Sequence, residues 1–255
     1  MIRVGVFGAG GRMGTTVCDA VRDAPDLELV AAIDPVHAGE ESGGLTLAAT
    51  ADALTVAGAQ VAVDFTVLDA ARENVRWCAA HGVHAVVGTT GFDDTELAEL
   101  AELFEHSDAH AAVVANFAIG AVLMMRFAEV AAPYFETAEI IEFHHDRKID
   151  SPSGTAVRTA QRMAAASKEW SEDPTTTVIA AGSRGGLVEG IPVHAVRMRG
   201  MVASQEVILG TTGQTLSIRH DTFDRASFMP GVLLAVRKIA ERPGLTIGLD
   251  ALLGL

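Results

Sequence analysis

Residues 3–34 read Arg3-Val4-Gly5-Val6-Phe7, then Gly8-Ala9-Gly10-Gly11-Arg12-Met13-Gly14, then a stretch from Thr15 to Arg22, and finally Leu27-Glu28-Leu29-Val30-Ala31-Ala32-Ile33-Asp34. The first segment is a short apolar strand and the second a glycine-rich turn. The third predicts a helix, and the fourth a strand that ends on an acid. Strand, glycine turn, helix and strand make a βαβ unit. The turn varies the usual dinucleotide pattern Gly-x-Gly-x-x-Gly: its last glycine would fall at Met13, and the glycines fit Gly8-x-x-Gly11-x-x-Gly14 instead. Glycines there permit the tight turn and let the backbone approach a pyrophosphate at the helix N-terminus. Asp34 at the strand end suits the hydroxyls of an adenosine ribose. A helix cap, or an exposed turn residue before Pro35, is the plainer reading of the same aspartate.

Working outward, the alternation continues. Strands are expected at Val61–Phe65, His84–Val87 and Ala111–Val114, and helices at Ala70–Ala80 and Asp94–Glu105, the latter with Leu97, Leu100 and Phe104 on one face. Continuous Val/Ala strands between helices predict a parallel sheet covered on both faces. Two loops that follow strands, Gly88-Thr89-Thr90-Gly91 and Val114-Ala115-Asn116-Phe117, fall at the carboxyl edge where ligands bind in such sheets. By themselves the first is also an ordinary turn, and Phe117 a core residue.

The pattern changes near residue 120. A long apolar helix, Ile119–Ala132, precedes a strand at Glu139–Phe143, and further strands are expected at Thr176–Ala180, Pro192–Arg197, Ala203–Leu209 and Thr215–His220. Strands in succession predict a mixed or antiparallel sheet in a second domain. A final helix spans Ala226–Glu241, with Pro230 near its first turn. The fold class is therefore α/β: a Rossmann-type parallel-sheet domain over 1–117 and 222–255, and an α+β domain with a mixed sheet over 118–221.

Composition bounds the function. The 255 residues allow a substantial core, which 49% hydrophobic but only 5% aromatic residues build mainly from Ala, Val, Leu and Ile. A formal net charge of −14 argues against a nucleic-acid partner. The most basic stretch, Asp146 to Arg162, carries Arg147, Lys148, Arg158 and Arg162 against Asp146 and Asp150, a local +2 suited to a small anion. The two cysteines, Cys18 and Cys78, lie in helical patterns and read as buried thiols. No signal peptide and no long apolar run is seen, so no membrane partner and a cytoplasmic location are expected.

Residues 142–156 carry the chemistry: Glu142-Phe143-His144-His145-Asp146-Arg147-Lys148-Ile149-Asp150-Ser151-Pro152-Ser153-Gly154-Thr155-Ala156. Two histidines offer groups that exchange a proton near neutral pH, and Lys148 adds a positive charge. Pro152-Ser153-Gly154-Thr155 opens an apolar-periodic run (Ala156, Val157, Ala160, Met163, Ala164) that predicts a helix, whose first N–H groups cradle an anion. A small acidic substrate that is both held and protonated fits this set. A surface turn, or part of a metal site, is the alternative for the histidine pair alone.

The segment closely resembles the signature of the dihydrodipicolinate reductases: Glu, any residue, His-His, two of any kind, Lys, any, Asp-Ala-Pro-Ser-Gly-Thr. The one departure is Ser151 in place of Ala. The resemblance extends over nearly the whole chain, to Met13 in the glycine loop and to His194-Ala195-Val196-Arg197 and Ser204-Gln205-Glu206-Val207 late in it. It implies reduction of a small cyclic dicarboxylate, 4-hydroxy-tetrahydrodipicolinate or its dehydrated form, by NADH or NADPH, without a metal. It implies His144 as proton donor and Lys148 as second catalytic residue, with His145, Lys148, Ser153, Gly154 and Thr155 on the substrate. It implies cofactor contacts from Gly8, Ala9, Gly10, Gly11, Arg12, Met13, Asp34, Gly88, Thr89, Thr90, Val114, Ala115, Asn116 and Phe117. It also implies a C-terminal helix returning to the first domain, and a homotetramer paired through the second-domain sheets. Another two-domain dehydrogenase would share the glycine loop and Asp34 without needing Lys148 and Ser153-Gly154-Thr155. An NAD(H)-sensing module would keep the first domain but could lose His144 and Lys148.

Overall fold

The computed structural model describes residues 1–167 and 169–255. The chain divides into two compact units, Met1–Ile119 with Phe228–Leu255, and Gly120–Ser227. The return to the first unit falls at Phe228 in this division, where residue 222 was expected.

The first unit begins with β1 (Ile2–Phe7), α1 (Arg12–Asp23) and β2 (Leu27–Ile33). A small excursion follows, made of β3 (Glu41–Ser42), β4 (Leu45–Thr46) and α2 (Asp52–Val56). Then come β5 (Val61–Asp64), α3 (Leu68–Ala80), β6 (His84–Val87), α4 (Asp94–Glu105) and β7 (Ala111–Val113). Alternation of buried apolar strands with amphipathic helices produces a six-stranded parallel sheet in the order β13-β7-β6-β5-β1-β2. All four residues of β5 are buried, as a strand covered on both faces requires. The chain leaves β1 for β2 on one side and later returns to β5 on the other. The carboxyl ends of β1 and β5 therefore flank a topological switch point, where ligands bind in open sheets of this kind. Helix α4 begins with a reciprocal cap: Asp93 accepts the Glu96 N–H and Glu96 accepts the Asp93 N–H. Both cysteines are buried in helices, and burial pushes the Cys18 thiol up to about 11.

Two glycines of the turn after β1 are required by geometry. Gly8 has φ +71°, and a Cβ at Gly14 would stand 2.0 Å from the Gly8 carbonyl oxygen. The helix can press against the turn only without that atom.

The second unit holds α5 (Ile119–Ala131, its first residue belonging to the first unit), β8 (Thr137–His144) and α6 (Gly154–Ala166). It continues with β9 (Gly186–Val188), β10 (Ile191–Arg197), β11 (Ala203–Thr211) and β12 (Gln214–Thr222). Its sheet runs β12-β11-β8-β10-β9, with β8 parallel to β10 and antiparallel to β11, so the sheet is mixed. Ile140, Val193, Val207 and Leu209 of this sheet share a core with Ala156, Ala160 and Met163 of α6.

Three expectations are corrected. Thr176–Ala180 is not a strand: the segment is exposed throughout, and the edge beside β10 is taken by β9. A β-branched run becomes a strand only where a ladder and a packing surface await it. The expected helix Ala226–Glu241 is a 3-10 turn at Arg225–Phe228, then α7 (Met229–Lys238), then a 3-10 turn at Ile239–Glu241. Pro230 lies in the first turn of α7, where its missing N–H costs nothing, so the α-helix starts there. Finally, β13 (Leu245–Ile247) and α8 (Asp250–Leu253) are additions; three residues between Gly244 and Gly248 are too few to carry a periodic signal, yet β13 completes the sheet beside β7.

Candidate active site

In the first unit the glycine turn leads into α1 with Gly11 at the N-cap. No side chain caps this helix and no acid lies in its first turn. Its positive pole therefore carries no cap of its own and is open to an anion. Asp34 follows β2 and is buried. One carboxylate oxygen accepts the Gly10 N–H at 3.0 Å; the other accepts the N–H groups of Val36 and His37 at 3.1 and 3.2 Å. His37 Nδ1 stands 3.1 Å from Asp34 Oδ1. Burial alone would raise the Asp34 carboxyl, but the His37 side chain and the His37 and Gly10 N–H groups outweigh it and hold it below its ordinary value. Asp34 is thus an acceptor-only anion tied to the turn, neither an exposed turn residue nor a simple cap. Arg12 is exposed at the start of α1.

A cavity of about 400 Å³ is lined by Met13, Phe65, Thr66, Val67, Leu68, Gly88, Thr89 and Thr90. Four of these were expected and four were not. Asp64, at the end of β5, ties Thr66 of the unexpected segment to Thr89 of the expected one. Its Oδ1 accepts Thr66 N–H (2.8 Å), Thr66 Oγ1 (2.7 Å) and Thr89 Oγ1 (3.1 Å), and its Oδ2 accepts from Asn74 (2.7 Å). An acid at the end of a buried strand, as at Asp34, was the available signal for it. Of the third loop, Val114 and Phe117 are buried and Ala115 is exposed. Asn116 Oδ1 accepts the Ala118 N–H, and the Phe117 ring lies 5.6 Å from that of Phe65. An uncapped helix pole, a buried ribose-type acceptor and a cavity at the switch point fit a nicotinamide dinucleotide.

In the second unit, residues 142–156 join β8 to α6. Strand alternation puts Glu142 and His144 on one sheet face. Glu142 is fully buried, and His144 Nδ1 lies 2.5 Å from its Oε2. Arg197 of β10, register partner of His144, grips the same carboxylate with two bonds of 2.7 Å. His145 is exposed, and its Nδ1 accepts the Arg147 N–H. The Lys148 ammonium meets both oxygens of Asp150 at 2.7 Å; Lys148 is only 19% exposed, Asp150 58%. Ser153 is buried at the N-cap of α6: its Oγ accepts the Ala156 N–H at 3.2 Å, and its own N–H goes to Glu142 Oε1 at 3.0 Å. A Cβ at Gly154 would meet nothing within 4 Å. Residue types and spacing gave no sign of Arg197 as a site residue, since its place beside Glu142 depends on the pairing of two distant strands. Among the described residues no group of three His, Cys, Asp or Glu side chains is set to hold a metal ion.

A parallel α/β sheet with an open helix pole and a buried Asp34 at the end of its β2 strand, followed by a mixed-sheet unit, defines a Rossmann-type oxidoreductase of two units. Comparison with known proteins narrows the class. The family model for the dihydrodipicolinate reductase N-terminus matches residues 2–117, and that for its C-terminus matches residues 120–253. The chain belongs to the dihydrodipicolinate reductase family. It is 52% identical to the 4-hydroxy-tetrahydrodipicolinate reductase of Cutibacterium acnes and 53% identical to that of Thermobifida fusca, with 100% of each chain covered. A dipicolinate-bound dihydrodipicolinate reductase from Paenisporosarcina sp. TG-14 superposes with a TM-score of 0.90 at 37% identity, covering 98% of this chain and 99% of that one. Among the described residues no helix is long and apolar enough to cross a membrane.

Proposed function

We propose that the chain reduces 4-hydroxy-tetrahydrodipicolinate, or the dihydrodipicolinate formed by its dehydration, to tetrahydrodipicolinate with NADH or NADPH, in the route to diaminopimelate and lysine. The observation that carries this reading is the arrangement of residues 142–156, where an imidazole, an ammonium and a helix N-terminus occupy one short connection. When bound, the reduced nicotinamide supplies the hydride. Gly8 to Met13 would hold its pyrophosphate at the start of α1, Asp34 its adenosine ribose, and the loops Gly88–Thr90 and Val114–Phe117 its nicotinamide end.

Hydride arrival at a conjugated ring leaves electron density that a proton must quench. His144 donates that proton as general acid, a role in which imidazolium works near neutral pH. Lys148 holds a substrate carboxylate and supports the charge; its present partner Asp150 yields to that carboxylate. His145, Ser153 and the backbone N–H groups of Gly154 and Thr155 complete the grip on the dianion. NADH serves at least as well as NADPH, because the Asp34 anion repels a ribose 2′-phosphate while Arg12 partly offsets it. The second unit also pairs copies into a homotetramer, and the enzyme works in the cytoplasm.

The test follows reduced-nicotinamide absorbance with substrate generated in situ from pyruvate and aspartate semialdehyde. Absorbance should fall only when both precursors, the cofactor and the protein are present. A protein that binds the cofactor but never consumes it would be a sensor, and the reading would be wrong.

A further inference from the structure

Glu142 is a fully buried acid two residues from the donor histidine, and its partners account for it completely. Oε1 accepts from Arg197 at 2.7 Å and from the Ser153 N–H at 3.0 Å; Oε2 accepts from Arg197 at 2.7 Å and meets His144 Nδ1 at 2.5 Å. Arg197 has only donors to give, and so does a backbone N–H. Arg197 is itself anchored, donating to the carbonyl of Asp150 at 2.8 Å and to its neighbour Val196 at 2.9 Å. Every contact to Glu142 is therefore made to a carboxylate, and His144 meets a carboxylate oxygen only by donating a proton from Nδ1.

We propose that Glu142, clamped by Arg197, is a positioning residue that locks His144 with its proton on Nδ1, so that the proton given to the substrate leaves from Nε2. The inference rests on His144 being the proton donor. Neutral imidazole in water favours the opposite tautomer, with the proton on Nε2 and the lone pair on Nδ1. The buried carboxylate reverses that choice and fixes the ring plane, as the buried acid of a catalytic triad does for its histidine. Burial alone would raise the Glu142 carboxyl, but the bonds from His144, Arg197 and the Ser153 N–H hold it at about 2, so it stays charged through the working range. The Ser153 bond adds a second consequence. The same carboxylate that orients the acid also ties down the N-cap of α6, where the substrate carboxylate is to be held. One buried group thus sets the spacing between proton donor and anion cradle.

The test has two parts. In protein labelled with 15N-histidine, long-range proton–nitrogen correlations report which ring nitrogen carries the proton. Loss of signals in His144→Gln assigns His144 among the nine histidines. Above the titration range, unmutated protein should show a protonated Nδ1 and a lone-pair Nε2. A neutral ring protonated on Nε2 overturns the proposal, and this measurement needs no variant at position 142. The second part is a double-mutant cycle. Glu142→Gln should lower kcat by at least about tenfold with the KM for reduced nicotinamide unchanged, and should cost little more in the His144→Gln background. An equal loss in both backgrounds would make Glu142 a merely structural residue and overturn the proposal. Full turnover in His144→Gln alone would instead refute the proton-donor reading, while the tautomer of the ring would still be read directly.

Discussion

The backbone N–H of Gly10 donates to the Asp34 carboxylate at 3.0 Å, so the acid that closes β2 is fastened to the turn that closes β1. This places a buried anion at the ribose end of the expected nucleotide site, and it bears on cofactor choice. NADH should be used at least as well as NADPH, and Arg12→Ala should hurt NADPH more than NADH. The deciding measurement is kcat/KM for both cofactors on the unmutated enzyme. A preference for NADPH of tenfold, about 1.4 kcal/mol, would show that Asp34 does not exclude the phosphate.

Proton donation is tested by His144→Gln, which keeps a polar side chain and removes the acid. A fall in kcat of at least about a hundredfold is expected, the scale of general-acid contributions, with cofactor affinity unchanged by titration. Weakened cofactor binding with normal turnover at saturation would remove His144 from the chemistry.

The Lys148 ammonium is held by Asp150 through both carboxylate oxygens. Lys148→Met should raise the substrate KM and slow turnover, because the dianion loses its cation. Asp150→Asn should lower the KM, since the substrate no longer competes with a resident carboxylate. If Lys148→Met only lowers Tm and leaves the kinetic constants of the folded fraction alone, the lysine is structural.

Open space beside Gly154 makes a sharp case, since nothing in the protein itself requires glycine at this helical position. Gly154→Ala should leave Tm unchanged or slightly higher, given alanine's better helix propensity of up to about 1 kcal/mol. The substrate KM should nonetheless rise several-fold as the methyl group intrudes on the carboxylate cradle. Unchanged KM would place the substrate elsewhere.

Acid should weaken the fold through Glu142. Its carboxyl is held at about 2 against an ordinary 4.5. A depressed acid contributes stability that is whole above its unfolded value and is lost as pH falls, here between about 4.5 and about 2. On the order of 3 kcal/mol is at stake. Urea unfolding across that window should show a steeper acid decline for the unmutated protein than for Glu142→Gln. Parallel slopes would mean that the carboxylate gains nothing from its partners.

The main strands and helices of the first unit were legible, with Leu27–Ile33, His84–Val87 and Asp94–Glu105 matching end to end, while α1 and α3 begin earlier than expected, at Arg12 and Leu68, and β3, β4 and α2 were not foreseen. Periodicity is a local property, and those elements bury the faces it marks. The helix start at Ser153-Gly154 was legible for the same reason, because a cap is a bond between near neighbours. Thr176–Ala180 was misread and β13 was missed, because a strand exists only where another strand offers a free edge, and no local pattern announces an edge. The site divides along the same line. Its titrating groups, His144, His145 and Lys148, stand together in the chain. Their orientation does not: Arg197 reaches Glu142 only through the parallel pairing of β10 with β8, and Thr66 and Thr89, from two different loops, are joined by a direct bond and by Asp64. The chain's own order determined which chemical groups are available. Strand register, which joins residues dozens of positions apart, decided that Arg197 clamps the buried carboxylate that faces Nδ1 of His144.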